Sequence, residues 1–111
     1  MAISPRMPDN VVSPLQYETV AAGQTAQVLG GNGRLGDYLK RLILVPAVAA
    51  AGAVDLIDNA TTISIYAGGA VTALPNLQPM VVDIDAKSAS GAWKITTGAN
   101  ISVIAVGDFS G

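Results

Sequence analysis

The sequence predicts an all-β protein: an antiparallel β-sandwich, jelly-roll-like, with an extended N-terminal arm. Three observations predict it. The chain is a succession of short runs rich in Val, Ile, Thr and aromatic residues, types that fit a pleated, half-buried surface. Turn residues punctuate those runs at the spacing of a sandwich or jelly roll. The best-patterned run alternates with a period of two: Met80, Val82, Ile84 and Ala86 fall on one face, and Asp83, Asp85 and Lys87 on the other.

Taken in order, residues 1–16 stand apart. Pro5, Pro8 and Pro14 fall there, with Asp9, Asn10 and Ser13 between them. Proline removes a backbone donor and biases its predecessor to extended geometry, so neither a helix nor a central strand fits. The stretch reads as an extended arm, and residues 17–111 as a single β-sandwich domain. Residues 17–21 and 25–29 are extended runs separated by Ala22, Gly23 and Gln24. A glycine-rich loop, 30–36, precedes the strong run 37–45, which Pro46 ends. Residues 47–51 are Ala-rich and compatible with a helical turn, but Pro46 and Gly52 bracket them closely.

Runs 53–57 and 62–67 are joined through Asp58, Asn59, Ala60 and Thr61. In the second, Ile63 and Ile65 oppose Thr62, Ser64 and Tyr66. Gly68 and Gly69 form a two-residue loop suited to a primed hairpin turn, leading to a run at 70–74. A loop bounded by Pro75 and Pro79 follows. Runs 80–86 and 93–97 are joined by residues 87–91, and a last run, 100–109, closes the chain. Between those last two runs lie Gly98 and Ala99, so the segment 93–106 reads as a β-hairpin.

Composition removes several classes of function. At 111 residues the chain is one domain by length. It has no cysteine, hence no disulfide framework and no thiolate metal site. It also has no histidine, the commonest general base and metal ligand. Catalysis would rest on carboxylates, lysine, tyrosine or hydroxyls alone. Six basic residues face eight acidic ones, and Lys40 with Arg41 is the only adjacent basic pair. No basic stripe for nucleic acid follows from that. Tyr17, Tyr38 and Tyr66 are scattered rather than interleaved with basic residues, as single-strand binding would require.

The longest apolar run, 42–54, is broken by Pro46 and Gly52 and falls short of the roughly 20 residues a spanning helix needs. The first ten residues contain no apolar core of a secretory signal, so the sequence points to a cytoplasmic origin and to sequons at Asn59 and Asn100 that are chance matches. Mean hydropathy is +0.46 with only 13% charged residues. A surface so poor in charge suggests burial against other subunits.

Motifs of recognised chemistry are few. Gly31, Gly33 and Gly36 spell a literal G-x-G-x-x-G, and Asp55 stands about where a ribose-binding acid would. The run before the motif is short and polar, the run after it is poor helix material, and the chain lacks room for a second mononucleotide half. Asn32–Gly33 as a hairpin loop is the simpler reading. Asp83 and Asp85 share one strand face, but only Lys87 joins them, far short of a calcium site, so they read as a solvated face. Asp58 with Asn59 is turn chemistry. Trp93 reads as a core or subunit-interface anchor. No cofactor is expected.

Three blocks carry a resemblance: residues 39–45 (LKRLILV), 53–58 (AVDLID) and 91–107 (GAWKITTGANISVIAVG). Together they resemble small tailed-bacteriophage virion proteins, in which a G-x-W-K-[IV]-T-T-G pattern recurs near the end. The likeness covers residues 39–110 and leaves the arm unmatched. It implies a β-sandwich virion structural protein, most like head decoration (cement) proteins, which sit as trimers on the capsid lattice and reinforce it. On that basis the chain is expected to be non-enzymatic and a homotrimer. It is expected to bind the major capsid protein, on the capsid surface of a virion assembled in the host cytoplasm, without nucleic acid or membrane. Capsid or subunit contacts are expected from Pro5, Arg6, Met7, Pro8, Pro14 and Tyr17. The alternative is a phage tail or fibre module binding a host-surface glycan or protein. An enzyme built on the glycine loop and Asp55 is the third reading.

Overall fold

The structure, a computed structural model, describes residues 15–48, 51–68 and 79–109. Among the described residues eight strands run in chain order: β1 (Gln16–Val20), β2 (Gln27–Val28), β3 (Tyr38–Pro46), β4 (Val54–Asp58), β5 (Thr61–Tyr66), β6 (Met80–Lys87), β7 (Trp93–Thr97) and β8 (Ile101–Asp108). No helix occurs among the described residues. Two four-stranded sheets form, in the orders β1-β8-β3-β6 and β2-β7-β4-β5, and every pairing is antiparallel. The pairing is nested: β1 with β8, β2 with β7, β3 with β6, β4 with β5. Contacts β3–β8 and β4–β7 then close each sheet.

The core lies between the sheets. Val20, Leu39, Leu42, Leu44, Ile101, Val103 and Ala105 come from one, and Val54, Leu56, Trp93 and Ile95 from the other. Leu29, Ala51 and Phe109 fill in from the connections. Period-two alternation does most of the placement, as in β4, β7 and β8, where buried and half-buried residues strictly alternate. Each fully buried Leu or Ile contributes about 1.5–3 kcal/mol relative to exposure. β6 supplies Met80, Val82, Ile84 and Ala86 to the margin of this core, on the face its alternation predicts.

β3 breaks the alternation once. Its register shifts between Leu39 and Arg41 against both β6 and β8, which makes Lys40 a bulge residue. Leu39 and Leu42, three positions apart, therefore both point inward. On β6 the matching irregularity falls at Asp85, which has φ of 52°, a left-handed conformation that Asp tolerates better than most residues. Opposite Leu39 stands Gly107. A Cβ there would collide with the Tyr38 carbonyl oxygen and the Phe109 ring, so only glycine lets β8 pass the bulge.

Several expectations change. The closing segment 93–106 is not a hairpin, because β7 and β8 belong to different sheets. Residues 98–100 arch from one sheet to the other. The backbone groups a hairpin would pair are already taken: Gly98 N donates to Ala53 O (2.7 Å), and Ala99 O and Asn100 O accept from Gly52 N and Ala47 N (2.8 Å each). Gly98 also lies so close to Gly52 that a Cβ on either would strike the other's backbone. The glycine-rich loop, 30–36, is likewise an arch rather than a hairpin loop, since it joins β2 to β3 across the sandwich. The β4–β5 connection is a true hairpin: Asp58 pairs with Thr61 across Asn59 and Ala60, with Asn59 at φ of 57°.

Boundaries shift slightly. Gln16, counted with the arm, is already in β1 and pairs with Gly107. Pro46 does not lie beyond β3 but forms its last position, opposite Ile101. The expected strand at 25–29 shrinks to Gln27–Val28. The run at 70–74, Gly69 of the glycine turn and most of the loop from Pro75 lie outside the described residues, as do residues 49–50 of the Ala-rich stretch.

Leu56→Ala should lower stability by about 2–5 kcal/mol, measured by urea unfolding with Trp93 fluorescence as probe. Val81→Ala, 58% exposed on the outer face, should stay within about 0.5 kcal/mol. Gly107→Ala should be as damaging as a core truncation, at about 1–3 kcal/mol or more, despite adding one methyl.

Candidate interaction surface

The chemistry-bearing residues are mostly consumed by the ends of the sandwich. At one end the glycine loop packs on residues 88–92. Gly36 N donates to Ser88 Oγ (2.9 Å), Ser88 Oγ donates to Arg34 O (3.1 Å), and Arg34 N donates to Asp37 Oδ2 (3.0 Å). The buried Trp93 indole Nε1 donates to Asp37 O (2.9 Å). Asp58 accepts from Ala89 N (2.8 Å) and Ser90 N (3.1 Å), so its carboxylate holds the β6–β7 connection as well as opening a turn. Asp55 sits mid-strand on β4, in register with Ser64 and Thr96, while the glycine loop is followed by β3 rather than a helix. The strand-then-helix setting of a dinucleotide site is absent from the described residues.

At the other end, the Thr96, Thr97 and Gly98 cluster has a structural explanation. Thr97 Oγ1 accepts from Gln24 N (2.9 Å) and donates to Ala21 O (2.6 Å), and Thr96 Oγ1 accepts from Ala26 N (2.9 Å). Gly23 N donates to Gly98 O (2.9 Å). These bonds clamp the β1–β2 connection onto the end of β7. Glu18 closes the side of the sandwich, accepting from Gln27 Nε2 (2.7 Å) and Gly30 N (2.8 Å). Among the described residues there is no pocket, and no group of three or more His, Cys, Asp or Glu that could hold a metal.

What remains is the outer face of the β1-β8-β3-β6 sheet. Register aligns Thr19, Ile104, Ile43 and Val81 in one row across all four strands. The next row is Tyr17, Val106, Arg41 and Asp83, and on the other side Ser102 pairs with Val45. Five aliphatic side chains and Tyr17, 73% exposed, thus occupy one half of a face with nothing packed on it among the described residues. Tyr17 is the one predicted contact residue that the structure places. Pro5, Arg6, Met7, Pro8 and Pro14 lie outside the described residues.

The other half of the face is polar. Lys40 Nζ and Tyr38 OH both donate to Asp85 Oδ1 at 2.8 Å. Arg41 Nε forms a loose ion pair with Asp83 Oδ1 at 3.8 Å, too far for a hydrogen bond, and is shielded from solvent without a hydrogen-bond partner. The hydrogen bond from Lys40, and then that from Tyr38, hold the Asp85 carboxyl below the usual carboxylate value. The same hydrogen bonds raise Lys40 and Tyr38 above theirs. Asp83 and Asp85, read from the sequence as a solvated pair, do not act together: each answers a different cation on β3.

The aliphatic half of the face was signalled in the sequence. In β3 and β8 the stretches at 42–45 and 103–106 are apolar at both parities, whereas β6 alternates cleanly. Such stretches place apolar side chains on both faces of the sheet.

A depressed carboxyl stabilises the fold above its unfolded-state pKa and loses that contribution as pH falls through the folded value. The raised Lys40 and Tyr38 contribute below their ordinary values and lose the contribution as pH rises through the folded ones. The network is therefore whole at neutral pH. A 13C NMR titration should place the Asp85 midpoint below 3.8. Lys40→Met should move it upward with little change in stability, because the group is exposed and screened.

No family model matches the chain, and neither a curated protein nor a solved structure shows significant similarity to it.

Proposed function

We propose that this chain is a non-enzymatic structural protein of a tailed-phage particle, which decorates and stabilises the capsid as a homotrimer bound to the major capsid protein lattice. The observation that carries the reading is the aliphatic row Thr19, Ile104, Ile43 and Val81, with Val45, Val106 and Tyr17 beside it. A monomer in water gains nothing by presenting such a face, whereas a particle subunit has neighbours to bury it.

Two further observations support it. The nested order, first strand with last and so inward, is what results when one long hairpin wraps over itself, which is the jelly roll. That architecture is frequent in viral capsid and lectin domains. It is an analogy of fold and names no function alone. The polar groups of the described residues, in turn, are spent on arches and on the Tyr38–Lys40–Asp85 network rather than converging on a cleft. Residues 1–14, rich in proline, supply the rest of the contact surface in this reading.

Co-sedimentation with undecorated capsids of the same phage tests the proposal. The purified chain should bind to saturation at a fixed ratio to the major capsid protein, and light scattering should give the mass of three chains. Deleting residues 1–14 should abolish capsid binding while the far-UV circular dichroism of the sandwich stays unchanged. Binding to host cells or cell-wall extract, with none to capsids, overturns the proposal in favour of a tail or fibre module.

A further inference from the structure

We infer that the aliphatic half of the β1-β8-β3-β6 face is covered by residues 1–14 of a second copy of this chain. This goes beyond the capsid reading, because exchange between copies needs no shell.

The geometry of β1 sets the direction. β1 is an edge strand of the same sheet, and Gln16 pairs with Gly107 while Val20 pairs with Val103. Gly107 lies opposite Leu39 at the polar end of the face, and Val103 lies opposite Leu44 at the aliphatic end. Followed back from Val20 to Gln16, β1 therefore runs out at the polar end, away from its own aliphatic half. Pro14 biases Ser13 away from helical geometry, so the sequence favours an extended approach to β1. Fourteen extended residues reach up to roughly 45 Å, ample to cross the face of an adjacent molecule.

The chemistry of the segment fits the same face. Met1, Ile3, Met7, Val11 and Val12 supply apolar side chains, and Arg6 and Asp9 are its only charges. Pro5, Pro8 and Pro14 cannot donate to a β-ladder, so the segment suits lying on the sheet rather than lengthening it. At the border of the aliphatic half, Asp83 and Arg41 pair with each other at 3.8 Å, so the attraction of the segment to this face rests on its apolar side chains. Exchange of this kind closes when copies are related by a rotation axis, giving a defined oligomer rather than a filament.

The chain has no cysteine, so introduced thiols are the only ones present. Full-length Met7→Cys and full-length Val81→Cys proteins, mixed and mildly oxidised, should yield a disulfide-linked heterodimer identified by mass spectrometry. Mixing Met7→Cys with Thr62→Cys, on the outer face of the other sheet, should yield none. Full-length Val81→Lys should drop from the oligomer to the mass of one chain at equal concentration, with Trp93 emission unchanged. A wild-type chain that stays monomeric at about 100 µM, a concentration at which even micromolar association would show, overturns the inference. So does a Met7→Cys/Val81→Cys double variant that links only within one chain. A monomeric wild type that still coats capsids would sink arm exchange and leave the decorating role standing. An oligomer that cross-links as expected but ignores capsids would do the reverse.

Discussion

One layer of aliphatic side chains, shared by two sheets, holds the rest in place. β3 and β8 are the central strands of the first sheet, and Leu42, Leu44, Val103 and Ala105 sit on their inner sides against Val54, Leu56 and Ile95 of the second. This layer fixes register, because a one-residue slip in any strand would turn its buried set outward. It also explains the bulge at Lys40. Without an extra residue there, Leu39 or the pair Leu42 and Leu44 would face solvent, and the bulge lets both sets point inward. Gly107 and the left-handed Asp85 follow from it, one clearing the crowded Tyr38 carbonyl and the other absorbing the shift on β6.

Polar groups in the domain are arranged around that layer rather than within it. The arches carry their own hydrogen-bonding partners: Thr96 and Thr97 at one end, Asp37, Asp58 and Ser88 at the other. Trp93 sits between, burying its ring in the core while its indole N–H reaches the Asp37 carbonyl. A buried indole without that acceptor would cost about 1–3 kcal/mol. The blocks 39–45, 53–58 and 91–107 thus have structural duties, and the outer face of the β1-β8-β3-β6 sheet is the one left over.

The strands were legible because period two is a strong local signal. β6, β7 and β8 fall within a residue or two of where alternation and turn chemistry place them. The sheet to which each strand belongs was not legible. Gly98–Ala99 and Asn32–Gly33 have the composition of hairpin turns, yet both are arches. What decides between the two is whether another loop, such as Gly52 and Ala53, takes up the free backbone groups. That is a long-range fact no local window contains. The interaction surface was half legible. Low charge and two strands apolar at both parities signal an apolar outer face, but the register that assembles Ile43, Ile104 and Val81 into one row depends on the bulge and on β6 returning to β3.

Nested pairing also orders events in time. β1 is the first of the eight strands to be synthesised, and its partner β8 is the last. At typical rates of polypeptide synthesis, about 5–20 s separate the two. Throughout that interval the β1-β8-β3-β6 sheet cannot close, because the aliphatic sides of β1 and β3 have no β8 to lie between them. The domain cannot fold progressively as it leaves the ribosome. Its first sheet must wait for β8 and then close in a late step, dominated by contacts between residues distant in sequence, the kind of closure that is slow even in isolation.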